Sequence, residues 1–203
     1  IPLNDFVPDH KNVKLNTILY FGSIIRKKGV LELAEIFNLV IEKYPEARLI
    51  LAGRDVIDIF ENKSTLYLFR NKLSDKALNQ LEYKGILAYD KIQQLIKEAY
   101  VVVLPSFAEA FPMTWIETMA LEKPLISSNI GWAKEIIKDG ETGFTFHPKN
   151  HSLITEKLLE LFTNKTLSME IGKNARRHLK QNLSPETITE TSIKLYRKIT
   201  ENR

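Results

Sequence analysis

Two glutamates, Glu109 and Glu117, stand eight residues apart in the segment PSFAEAFPMTWIETMA, residues 105 to 120. Glu109 precedes Pro112, whose fixed φ suits a first helical turn, and Met113, Ile116, Met119 and Ala120 recur beyond it at helical spacing. The pattern predicts a helix that starts near Pro112 or Met113, with Glu109 in the loop before it and Glu117 one turn inside. A first helical turn presents unpaired N–H groups and a partial positive charge of roughly half a unit, which suits a diphosphate. A carboxylate one turn deeper accepts both hydroxyls of a vicinal diol such as a ribose, and one in the loop reaches a sugar on the far side of the phosphates. Together these groups would grip a nucleotide-sugar. The spacing by itself also fits two surface carboxylates near a helix start, where acids are favoured anyway.

The elements that position these residues alternate between strands and helices, which predicts an α/β fold with a doubly wound parallel sheet covered on both faces. The apolar, β-branched run Tyr100 to Leu104 reads as a buried strand ended by Pro105 and Ser106. Upstream, strands are expected at Thr17 to Phe21, Arg48 to Ala52 and Leu81 to Lys84. A helix is expected over Val30 to Lys43, with Leu31, Leu33, Ala34, Phe37, Val40 and Ile41 inward. Residues 56 to 80 are less regular; helices are placed at Val56 to Phe60 and Asp75 to Gln80, and Asp90 is expected to cap a helix running to Ala99. Downstream come strands at Pro124 to Ser127 and Gly143 to Phe146, and helices at Ala133 to Ile137, Leu153 to Thr163, Leu167 to Asn182 and, after a Ser184 cap, Pro185 to Thr200. Ligands of such sheets bind outside the carboxyl ends of the strands. There Gly22, without a Cβ, lets a phosphate or acceptor approach the backbone, and Lys28 offers a point charge to a diphosphate.

An ordered series of landmarks resembles the nucleotide-binding C-terminal domain of the retaining glycosyltransferases of family 4, which have the GT-B architecture. The series runs Phe21-Gly22 with Lys28-Gly29, Leu51-Ala52-Gly53, Lys84-Gly85 and Leu104-Pro105-Ser106. It continues with the paired glutamates and Met119-Ala120, then Lys123-Pro124, Gly131 with Glu135, and Asp139-Gly140-Glu141-Thr142-Gly143. The resemblance covers about residues 17 to 181. It implies that Glu117 holds the ribose hydroxyls and that Glu109, toward the donor sugar, and Lys28, toward the diphosphate, are the catalytic residues. It further implies that Gly53-Arg54 and Gly85-Ile86-Leu87 border the nucleotide, with the base met mostly by backbone. Two departures stand out. Ser23 occupies a position where the family commonly has arginine, for which Arg26 would substitute, and Pro112 replaces a glycine, leaving the amides of Ala110, Phe111, Met113 and Thr114 for phosphate.

The implied activity is transfer of a sugar from a nucleoside-diphosphate sugar to an acceptor such as a glycan, a lipid or a polysaccharide precursor, with retention of the anomeric configuration and without cofactor or metal. No Asp-x-Asp motif or cysteine pair occurs; of His10, His147, His151 and His178, only His147 and His151 stand near each other, four apart across Pro148, and each histidine reads as a surface or loop residue rather than a ligand. The absence of Gly-x-Gly-x-x-Gly after the first strand and of Gly-Lys-Ser/Thr removes the main support for nicotinamide dehydrogenases and P-loop NTPases. A sugar-nucleotide epimerase, a sugar phosphorylase and a non-catalytic nucleotide-binding module remain as alternatives.

Composition is compatible with these expectations. The 203 residues suit one doubly wound unit, divided here into a connector at 1–16, a donor-binding domain at 17–183 and a terminal helix at 184–203. Zero cysteines exclude disulfides and thiol chemistry and fit a reducing, cytoplasmic setting. A net charge of +4 is scattered rather than blocked, which suits a solvated surface and gives no sign of nucleic-acid binding. No apolar run approaches the roughly 20 residues of a membrane span, which still leaves room for peripheral membrane association of a longer protein. Ile1 suggests that the natural N-terminus lies upstream, and the family resemblance implies an acceptor-binding domain there.

Overall fold

Short strands with β-branched and apolar residues on both faces form one parallel sheet because neither face can be left to water. The computed structural model describes residues 1–201. Its strands are β1 (Thr17–Phe21), β2 (Arg48–Ala52), β3 (Leu81–Tyr83), β4 (Val101–Leu104), β5 (Leu125–Ser128) and β6 (Phe144–Phe146), paired in the order β3-β2-β1-β4-β5-β6. The central strands β1, β4 and β5 are buried along their whole length, whereas β3 and β6 form the half-buried edges. The order reverses between β1 and β4, and that switch point opens the crevice where such sheets bind ligands.

The helices are α1 (Val30–Lys43), α2 (Thr65–Lys72), α3 (Asp75–Leu78), α4 (Tyr89–Glu98), α5 (Met113–Ala120), α6 (Ala133–Ile136), α7 (His151–Thr163), α8 (Lys165–Asn182) and α9 (Pro185–Glu201). Chain progression toward β3 through α1 and α2, and toward β6 through α4 and α5, places these pairs on opposite faces if the crossovers are right-handed. Helix α7 then packs on α1, and α8 on α5. All six residues expected to face inward on α1 are buried, joined by Val30 and Ile36. The Ser184 hydroxyl accepts the Thr187 N–H at 3.1 Å, which caps α9. The segment before β1 is held at separate points: Phe6 is buried, the Arg176 guanidinium of α8 donates to the carbonyls of Phe6 at 2.6 Å and Leu3 at 3.3 Å, and the Lys14 ammonium donates to Glu98 of α4 at 2.6 Å.

Two local expectations are corrected. Val56 to Phe60 is not a helix: Ile57 bridges to Ser64 and a turn follows at 59–61, because the buried Asp58 carboxylate accepts the N–H groups of Phe60 and Glu61 at 3.1 and 2.9 Å and Asn62 adopts a left-handed φ of 50°. Side-chain bonds of this kind compete with helix formation. The regular helix of this region is α2, capped by Ser64, whose hydroxyl accepts the Tyr67 N–H at 2.9 Å. Asp90 does not cap α4: the cap position is Ala88, and Asp90 lies within the first turn.

Candidate functional site

Close backbone approach assembles the carboxyl ends of the strands. A Cβ on Gly53 would lie 1.8 Å from the Gly22 carbonyl oxygen, so these two strand exits meet only because residue 53 is glycine. The Gly53 N–H donates to the Gly85 carbonyl at 2.8 Å, and the Tyr83 hydroxyl donates to the Gly53 carbonyl at 2.8 Å. Gly22, Gly53 and Gly85 therefore form a continuous rim, with Arg54 exposed and Leu87 half-buried beside it. Gly22 has a φ of 133°, and open space surrounds the place where its Cβ would stand. Gly29 joins the rim to β4, since a Cβ there would lie 1.8 Å from the Pro105 carbonyl oxygen. The Phe107 N–H completes this seam by donating to Lys27 O at 2.9 Å.

That seam brings Lys28 to Glu109, although 81 residues separate them. The Lys28 ammonium donates to both carboxylate oxygens, at 2.6 and 2.7 Å, and the Ser106 hydroxyl donates to Oε1 at 2.7 Å. The Glu109 side chain is only 9% exposed, so this is an ion pair with reduced access to water. Tyr20 lies buried close by, donating to the Ser23 carbonyl at 2.8 Å, and burial followed by the Glu109 charge pushes its phenol far up.

Helix α5 begins at Met113, with Pro112 in the cap position. The Met113 N–H donates to Phe111 O at 3.0 Å, which removes one of the four amides expected for phosphate. Those of Ala110 and Phe111 have no acceptor among the described residues. One turn on, Glu117 is half-buried and accepts the Tyr89 hydroxyl at 2.9 Å on Oε1. Burial pushes the Glu117 carboxyl above its ordinary range, partly offset by that hydrogen bond.

Arg26 points elsewhere. Its Nε and Nη2 donate to the two Asp58 oxygens at 2.7 and 3.0 Å, and its guanidinium lies 5.2 Å from the Phe60 ring centroid. This partner holds the Asp58 carboxyl down to about 2. The predicted residues thus fall into three groups: the glycine rim, the Lys28–Glu109 pair, and Glu117 with its amides. Arg26 is engaged outside them. Sequence patterns did not single out Tyr89, Ser106 or Asp58 as site neighbours. Of these, only Ser106 carried a signal, its position three residues before Glu109.

Among the described residues no three His, Cys, Asp or Glu side chains gather as a metal site requires, and no helix is long and apolar enough to cross a membrane. A sequence profile described as "Glycosyl transferases group 1" matches residues 4–178. The capsular polysaccharide biosynthesis glycosyltransferase CapM of Staphylococcus aureus is 28% identical over 188 residues, which is 92% of this chain and 47% of CapM. The trehalose synthase of Pyrococcus furiosus is 32% identical over 159 residues, 76% of this chain and 37% of that protein. The chain therefore spans less than half the length of both relatives. Among solved structures, Anabaena HepE in complex with UDP superposes with a TM-score of 0.81 at 19% identity, covering 98% of this chain and 56% of HepE, which supports the fold.

Proposed function

Because the chain belongs to the group 1 glycosyl transferases, we propose that it is the part of such an enzyme that grips a nucleoside-diphosphate sugar and releases its glycosyl group to an acceptor bound by another part of a longer protein. The observation that carries this is the pairing, at the sheet's switch point, of Lys28 from the turn after β1 with Glu109 from the loop that leads into α5. A departing nucleoside diphosphate develops negative charge. Lys28 and the amides before α5 offset it without a metal ion, and preorganised donors of this kind carry much of the stabilisation in such reactions. Glu109 accepts hydroxyls of the donor sugar, and Glu117 accepts those of the ribose. The glycine rim lets the nucleotide lie against backbone. The anomeric configuration is retained in this proposal, as the resemblance of the site motifs implies. Arg26 joins the diphosphate only by leaving Asp58. The UDP held by HepE makes a uridine nucleotide the first ligand to try, and CapM suggests a polysaccharide precursor as acceptor.

Calorimetric titration of the chain with UDP and UDP-glucose, each in excess chelator, tests the proposal. Both ligands should bind, and chelator should change affinity by less than about tenfold, or about 1.4 kcal/mol. A folded chain that binds no nucleoside diphosphate would overturn the donor site; a larger loss in chelator would overturn the metal-free part. Without a bound acceptor the chain should transfer little sugar, because orienting both reactants supplies much of the rate.

A further inference from the structure

The carboxylate of Glu117 has a protein donor but no cation. Among the described residues no lysine, arginine or histidine pairs with it, and the hydroxyl of Tyr89 at 2.9 Å is its one side-chain partner. Tyr89 is the first residue of α4, directly after the loop 85–88, and its side chain is more than half exposed at the cleft. The choice of a phenol has a chemical consequence. A lysine at this point would neutralise the carboxylate, whereas a neutral hydroxyl fixes its orientation and leaves the charge in place. An ionised carboxylate has about four lone-pair sites. Tyr89 occupies one on Oε1, so Oε2 and the remainder of Oε1 stay open to two further donors, the number a vicinal diol brings.

We propose that Tyr89 is a positioning residue for the donor nucleotide: it holds the Glu117 carboxylate in the orientation that accepts the ribose hydroxyls, and ties that orientation to the strip Gly85–Leu87 from which it follows in the chain. The proposal takes the ribose role of Glu117 as its premise. Burial and the Glu117 carboxylate raise the Tyr89 phenol above its ordinary range, so it stays a neutral donor to Glu117.

Calorimetry with UDP and 2',3'-dideoxy-UDP on the unaltered chain and on Tyr89→Phe tests this. The substitution keeps the ring and removes only the hydroxyl. The unaltered chain should prefer UDP by about tenfold or more, and Tyr89→Phe should lose about five- to tenfold toward UDP with no loss toward the dideoxy analogue, the scale of one hydrogen bond to a charged group. In a Glu117→Gln background, Tyr89→Phe should have no further effect. Equal losses toward both ligands would show a packing role and overturn the proposal, as would no loss toward either. An unaltered chain that does not distinguish UDP from its dideoxy analogue would overturn the ribose role of Glu117 and the proposal with it.

Discussion

Glu109 and Glu117 are the same residue type, eight positions apart in one loop and helix, yet the molecule makes different groups of them. Glu109 is almost buried with a cation on both its oxygens and a serine on one, so its charge is balanced inside the protein. Glu117 is half-buried with a phenol and no cation, and its carboxyl titrates above the ordinary range because burial disfavours its charge. The difference comes from elements remote in sequence. Lys28 arrives from the turn after β1, held by the close approach of Gly29 to Pro105, while Tyr89 arrives from the start of α4. Spacing decides where a carboxylate stands, and the neighbour across the cleft decides what it is prepared to hold. In the proposed donor site the first would be a counter-ion that a phosphate displaces from lysine, and the second an acceptor for hydroxyl groups.

The substitution expected to do most is Lys28→Met, which takes the cation from the diphosphate and from Glu109 together. UDP affinity should fall about a hundredfold, near 2.7 kcal/mol, and stability should fall by about 1–3 kcal/mol as Glu109 is left partly buried without its partner, read by calorimetry and urea unfolding. Glu117→Gln should weaken UDP by about tenfold but act on stability with the opposite sign. With a folded-state pKa above the unfolded one, the Glu117 charge opposes folding at neutral pH, and that penalty fades as pH falls through the folded value. The variant should therefore melt higher at neutral pH, by no more than about 3 °C, with the gain shrinking in acid. A lower melting temperature at neutral pH would break the contrast between the two niches.

A second ion pair sharpens the contrast by lying outside the cleft contacts. Asp58, held down to about 2 by Arg26, supports the folded state above the ordinary carboxylate range, and that support is lost as pH falls toward 2. Asp58→Asn should lower stability by about 1 kcal/mol at neutral pH while UDP affinity stays within about twofold. Tighter binding than that would show the released Arg26 reaching the phosphates.

Much of the scaffold was legible because its signals are local. Apolar runs gave β1, β2 and β4, and the period of buried residues gave α1 with the bounds found, Val30–Lys43. Residues 56 to 72 were not legible, because their order comes from Asp55, Asp58 and Ser64 side chains bonding to nearby backbone and to one another, which leaves no periodic trace. Helix α2 buries only Thr65, Leu66 and Phe69 among polar neighbours, too thin a stripe to stand out. At the site, Glu109 and Lys28 were both named, but their pairing spans 81 residues and no spacing encodes it. Tyr89 gave no sign at all: beside Asp90 it reads as one more exposed aromatic at a helix start, and only the approach of α4 to α5 gives it a partner.

The smallest expected effect is the most discriminating. Glu109 engages the Lys28 ammonium through both oxygens, at 2.6 and 2.7 Å, so in the proposed donor site a diphosphate would compete with Glu109 for the same charge. Neutralising the competitor should not weaken a ligand that ends at the phosphates. Glu109→Gln should leave UDP affinity unchanged or improve it by up to about threefold, since an amide still reaches Lys28 and Ser106 but holds the ammonium less firmly. UDP-glucose presents sugar hydroxyls as well, and the loss of a charged acceptor for them should weaken it by about tenfold. Titrating both ligands into Glu109→Gln and Glu117→Gln separates the roles, because Glu117→Gln should weaken the two alike. If Glu109→Gln weakens bare UDP as much as Glu117→Gln does, the two carboxylates serve the nucleotide in the same way, and the Lys28 pair is not the point at which the sugar end of the donor is distinguished from the phosphate end.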